Sequence, residues 1–167
     1  MRNWLLPSNL LQVSIAMMAP RGRAGNEGLA LWLGRESDGF ARVTHALELR
    51  GPGFRSSPLQ LSISMLGMSA ITDLADEKGV FLLGQVHSHP GGYIELSDTD
   101  RRYGIRIADY LSVVCPHYAQ APATRFADCG VHVFDGDDYR PLATPEVARR
   151  ISFVTEPVVS LTLEVPK

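Results

Sequence analysis

The chain is poor in cysteine: Cys115 and Cys129 are the only two in 167 residues. Two are too few for a disulfide framework, and they lie too far apart for a metal pair of the C-x-x-C type. A single bridge between them stays open, but two buried thiols in a reducing compartment are the better expectation. Basic charge is not in excess either. Sixteen Lys and Arg stand against eighteen Asp and Glu, a net charge of -2, which leaves no electrostatic footprint for nucleic acid or an anionic membrane. Arg101-Arg102 and Arg149-Arg150 are local pairs among acidic or apolar residues and read as solvated helix faces. Long apolar runs are also missing. Trp4-Leu5-Leu6 behind Arg2 is broken at once by Pro7-Ser8-Asn9, a poor secretory h-region, and nothing approaches the roughly 20 apolar residues of a membrane span. A cytoplasmic protein is expected.

What is present suits one soluble domain over residues 1–167, with 45% hydrophobic and 20% charged residues. Ser8 caps a predicted first helix with Leu11, Ile15 and Met18 on one stripe, ended by Pro20. The compact run Leu29 to Leu33, closed by Gly34, suits a buried strand. After the Ser37-Asp38-Gly39 turn, Phe40 to Leu49 predicts a second strand antiparallel to it. Ser57-Pro58 reads as a helix start, and Lys78-Gly79 as its end. Val80 to Val86 predicts a central strand, and a helix is expected from Ser97 to about Tyr110. Leu111–Cys115, Gly130–Phe134 and Val158–Val165 read as strands, with a short helix opening at Thr144-Pro145-Glu146. The pattern is mixed α/β: a central mixed sheet flanked by helices.

The chemistry concentrates between residues 87 and 100. Positions i and i+2 of a strand point to one side, roughly 6.5–7 Å apart, so His87 and His89 share a face where Pro90 turns the chain outward. Ser97-Asp98-Thr99-Asp100 fits a helix N-terminus, with Ser97 as cap and Asp100 in the first turn. Two histidines and one carboxylate leave a fourth tetrahedral position for water, the pattern of a catalytic zinc site, with one Zn2+ expected per chain. Ser97 and Asp100 also read simply as a capping box, while His45, His117 and His132 are given no role. From this composition, H-x-H-x7-S-x-x-D would arise by chance in roughly one such chain in a thousand, which favours the metal reading.

His87-Ser88-His89-Pro90 followed by Ser97-Asp98-Thr99-Asp100 resembles the signature of the JAMM (MPN+, Mov34/PAD-1-like) metalloproteases. Glu27, ahead of Gly28 to Gly34, is similar to the family's upstream glutamate and strand. Ala30 stands where the family commonly has glycine, a small-for-small departure. The resemblance spans nearly the whole chain and implies a cytidine-deaminase-like JAMM/MPN fold. It also implies that His87, His89 and Asp100 bind zinc, that Glu27 is the general acid–base, and that Ser97 donates to the developing oxyanion. The implied partner is the extended C-terminal tail of a ubiquitin-like protein, as conjugate or precursor. Gly51–Ser57 and Pro116–Arg125 are the expected walls for it. Fourteen Arg against two Lys point to a bacterial source, and bacterial relatives of this size serve ubiquitin-like conjugation, some in antiviral defence. Two alternatives share these residues: a peptidase for sulfur-carrier precursors, and a non-catalytic MPN scaffold. Oligomeric state is not written in the pattern, although the N-terminal helix is a candidate interface.

Overall fold

The apolar run at Leu29 to Leu33 is continuous because its strand is buried on both faces. Ala30 and Trp32 pack into one core with Trp4, Leu11, Ile15, Met18 and Val113, whereas Leu29, Leu31 and Leu33 pack into another with Leu47, Ile71 and Ala75. The computed structural model describes residues 1–167. The chain runs β1 (Asn3–Pro7), α1 (Leu10–Arg23), β2 (Leu29–Ser37), β3 (Phe40–Arg50), β4 (Phe54–Ser56), β5 (Leu61–Ile63) and α2 (Met65–Lys78). It continues through β6 (Phe81–Ser88), α3 (Asp98–Tyr103), β7 (Tyr110–Cys115), β8 (Gly130–Phe134), β9 (Tyr139–Pro141), α4 (Thr144–Arg150), β10 (Ile151–Val154) and β11 (Val159–Glu164). Nine strands form one mixed sheet in the order β10-β1-β3-β2-β6-β7-β8-β9, with β11 also on β3. Helix α1 covers one face and α2 the other. The expected mixed α/β architecture is therefore present. No helix is long and apolar enough to cross a membrane.

Several boundaries differ from the sequence expectation. Asn9, not Ser8, precedes α1, and its Oδ1 accepts from the Val158 N–H at 3.0 Å rather than capping the helix. Pro20 lies inside α1, which continues to Arg23. Gly34 does not close β2 but sits at a bulge, where an added Cβ would meet the Arg42 carbonyl oxygen at 1.9 Å. The helix predicted from Ser57 begins only at Met65: Ser57 and Gln60 instead close the turn of the β4–β5 hairpin, and the Ser64 side chain accepts from the Gly67 N–H. The helix predicted to reach Tyr110 stops at Tyr103. Gly104 takes extended angles there (φ -63, ψ 164), and Tyr110 opens β7.

Strands β1, β9 and β10 lacked local signals. β1 is held between β10 and β3, which buries Trp4 and Leu6 completely or nearly so. Cys115 and Cys129 are both free and buried.

Arg150 corrects the reading of its pair as a solvated face. It is 2% exposed and lies 4.7 Å over the Trp4 ring. Its Nε donates to the Arg2 carbonyl, and its Nη1 donates to Glu146 Oε1, both at 3.0 Å. Arg140 grips both oxygens of Glu146 as well. Those hydrogen bonds, from Arg140 first and Arg150 second, pull the Glu146 carboxyl down to about 2. Glu146→Ala strands a buried guanidinium and should cost about 3 kcal/mol, the low end for breaking a buried pair. Urea unfolding at pH 7 measures the loss. Because the folded pKa is depressed, this stabilisation is fully present above about 4.5 and fades as pH falls toward 2. The gap between wild type and variant should close over that range.

Candidate metal centre at the ends of two central strands

Strand pairing sets the site. β2 and β6 run antiparallel with Leu29 opposite His87, and the same register carried two residues further sets Glu27 opposite His89. β6 ends at Ser88, so His89 lies just past the sheet and its ring is free to turn toward His87. The His87 and His89 Nε2 atoms lie 3.1 Å apart. Asp100 Oδ2, from the first turn of α3, lies 3.4 Å from the first and 3.2 Å from the second. A tetrahedral ion with bonds of about 2.0–2.1 Å needs ligand atoms roughly 3.3–3.4 Å apart. The triangle fits that edge, and its two imidazoles and one carboxylate are a zinc-type donor set.

His89 and Asp100 are each oriented from behind. His89 Nδ1 donates to the Tyr93 carbonyl at 3.0 Å, which turns Nε2 toward His87 and Asp100. The Tyr93 ring stacks parallel to His89, with centroids 6.1 Å apart. Asp100 closes a capping box: Ser97 N–H donates to Oδ2 at 2.8 Å, and Asp100 N–H donates to Ser97 Oγ at 3.1 Å. Burial opposes the ionised Asp100 carboxylate, but hydrogen bonds from His87, His89 and the Ser97 amide outweigh it and hold its pKa well below the usual range.

Glu27 is buried, 4% exposed, and its Oε2 is one of four buried side-chain polar atoms with no partner; Nδ1 of His87 is another. Burial, reinforced by the Asp100 charge, pushes the Glu27 carboxyl up to about 7, against the pull of His89. The Glu27 amide donates to the Ser57 carbonyl at 2.9 Å, and Ser56 Oγ donates to the Glu27 carbonyl at 2.6 Å. The five residues singled out in the sequence thus fall into two groups. His87, His89 and Asp100 converge with Ser97 as their cap, and Glu27 stands at the neighbouring strand end.

Sequence reasoning passed over Ser88, which is fully buried. Its Oγ accepts from the Gly28 N–H at 2.8 Å, and its own N–H donates to the Gly28 carbonyl at 3.0 Å. That clasp joins the histidine strand to the residue after Glu27. Ser88→Ala leaves the Gly28 N–H unsatisfied and should lower unfolding free energy by about 1–3 kcal/mol. A denaturant midpoint equal to wild type would contradict it. A lone serine between two histidines carries no sequence signal for this.

A groove of about 670 Å³ runs beside His87 and Asp100. Its walls are not the expected Gly51–Ser57 and Pro116–Arg125 segments but Gln60–Ile63 on one side and Tyr103–Ile107 on the other, above Leu29 and Gln85.

No family model matches the chain. It resembles the probable metalloprotease y4jG of Sinorhizobium fredii. The two are 28% identical over 123 residues, 72% of this chain and 75% of the relative. The fold is shared with protein DSY2949 from Desulfitobacterium hafniense, known from a solution structure, at a TM-score of 0.66 and 19% identity; the match covers 92% of this chain and 94% of that one.

Proposed function

We propose that this chain is a JAMM-type zinc metalloprotease that hydrolyses the peptide or isopeptide bond after the C-terminal tail of a ubiquitin-like protein. One zinc would sit among His87, His89 and Asp100. The observation that carries the reading is the three-atom triangle, 3.1–3.4 Å on each edge, beside a buried carboxyl with an unpartnered oxygen. The likeness to a relative named a probable metalloprotease supports metal-dependent hydrolysis. The spacing of the histidines, serine and aspartate supports the finer family.

When bound, zinc would supply Lewis acidity at the scissile carbonyl and acidify water at its open position. Glu27, raised to about 7, takes a proton at its free Oε2 from the attacking water and delivers it to the leaving amine. Ser97 serves two tasks with one hydroxyl: its oxygen accepts the cap bond from Asp100 N–H, and its proton would donate to a developing oxyanion. Strand β5 pairs with β4 alone, so its other edge can accept an extended tail along the groove. In a bacterium such an enzyme would process or deconjugate the ubiquitin-like proteins of a conjugation or defence system.

The test uses a panel of ubiquitin and bacterial ubiquitin-like proteins, each fused through its C-terminal tail to a reporter. Zinc-loaded wild type should release the reporter from at least one of them. If it leaves all of them as intact as Glu27→Gln does, the reading fails. Cleavage confined to sulfur-carrier precursors would move the substrate to that class.

A further inference from the structure

His117, Tyr118 and Ala119 are three consecutive non-glycine residues at positive φ, 58°, 52° and 56°. The other two non-glycine residues in that region are Asp38 and Asp109, a residue type that tolerates it. Such a run persists only where its surroundings over-determine it, and here four attachments do so. Tyr118 N–H donates to the His89 carbonyl at 2.7 Å, and His117 N–H donates to the Gly91 carbonyl at 2.9 Å. Gln120 Nε2 bridges the carbonyls of Ala19 and Tyr118. Helix α1 approaches so closely at Gly22 that an added Cβ would meet the Tyr118 carbonyl oxygen at 2.0 Å.

From this strained turn the Tyr118 side chain reaches the 57–60 connection, where its Oη donates to the Pro58 carbonyl at 2.9 Å. Pro58 lies in the turn that Ser57 and Gln60 close. One end of that turn is tied to the Glu27 backbone, and the other leads into Gln60 and Leu61, which line the groove. We propose that Tyr118 is a positioning residue: the left-handed turn holds its hydroxyl against Pro58 and so fixes the 57–60 turn, and with it the Gln60–Ile63 wall that a substrate would meet beside the metal cluster. The substrate half of this inference rests on the proteolytic reading above. Tyr118 touches no reacting atom. It acts by keeping a short hairpin, attached to the fold by few other bonds, in the geometry that a bound tail needs.

Tyr118→Phe removes one hydroxyl and leaves the ring, so the chain should fold as before. In the zinc-loaded protein, the Glu27 and Ser57 amides should exchange with solvent roughly 2- to 12-fold faster, the worth of one net hydrogen bond. The amides of Val113 and Val133 in the central sheet serve as unchanged references. KM for a ubiquitin–reporter fusion, or for whichever fusion of the panel wild type cleaves, should rise by a similar factor while kcat stays within about two-fold, as expected for lost binding. Exchange equal to wild type overturns the latch. Faster exchange with an unchanged KM overturns its role in substrate binding, and so does a fall confined to kcat. Wild type that cleaves no fusion would sink the proteolytic reading instead, and amide exchange would then decide the latch alone.

Discussion

In a His87→Ala variant, bound zinc should fall from one per chain to a small fraction, and hydrolysis should vanish with it. The substitution removes the donor that lies 3.1 Å from His89 Nε2 and 3.4 Å from Asp100 Oδ2. Two protein ligands remain, one fewer than catalytic zinc sites use. Even partners in the outer shell of a zinc site are worth about 10–100-fold in affinity, so loss of a direct ligand should exceed that. His87 is 1% exposed, and truncation therefore also opens a cavity. Melting curves with and without zinc separate the two effects. Wild type should gain melting temperature on zinc addition by mass action, whereas the variant should gain almost none from a lower baseline. Elemental analysis after reconstitution gives the stoichiometry. Full zinc content with wild-type affinity in the variant would place the metal elsewhere.

Glu27→Gln should leave zinc bound and cut turnover by about 10²–10⁴, the usual worth of a positioned general base. Glutamine keeps the volume of the buried side chain but cannot accept and return a proton. The raised pKa gives the assignment a second handle. A carboxyl that titrates near 7 becomes a base only as pH rises through that value, so activity should climb on the acid side. A nearby dication favours the carboxylate, which puts the midpoint of that limb at or below about 7. The residual activity of the glutamine variant should lack the limb. A variant with near-normal rate, or with the same acid limb, would mean that another group moves the proton.

Much of the site was legible because it is local. His87, His89, Ser97 and Asp100 belong to one strand–loop–helix unit, and their spacing determines how far apart they sit once the strand and the helix start form. Glu27 is different. Sixty residues separate it from His87, and it reaches the cluster through the β2–β6 register, so a likeness to a family could point to it where the chain's own pattern could not choose it. Ser57-Pro58 carries the letters of a helix start but makes a hairpin turn, because its amide and hydroxyl are taken up by Gln60. The helix expected to run to about Tyr110 stops at Tyr103, because Gly104 takes extended angles and ends α3; Ile105 and Ile107 line the groove instead.

By itself the sequence determined the mixed α/β class, the buried strand at 29–33 and the metal-type donor set, since each follows from hydrophobic period or short-range spacing. Tertiary structure alone decided the burial of Arg150 against Trp4 and Glu146, the clasp of Ser88 on Gly28, and the groove walls at 60–63 and 103–107. It also decided the left-handed turn that presents Tyr118 to Pro58. Those depend on contacts between segments up to 148 residues apart, whose partners are chosen by packing and hydrogen-bond satisfaction across the whole fold, and no local pattern records them.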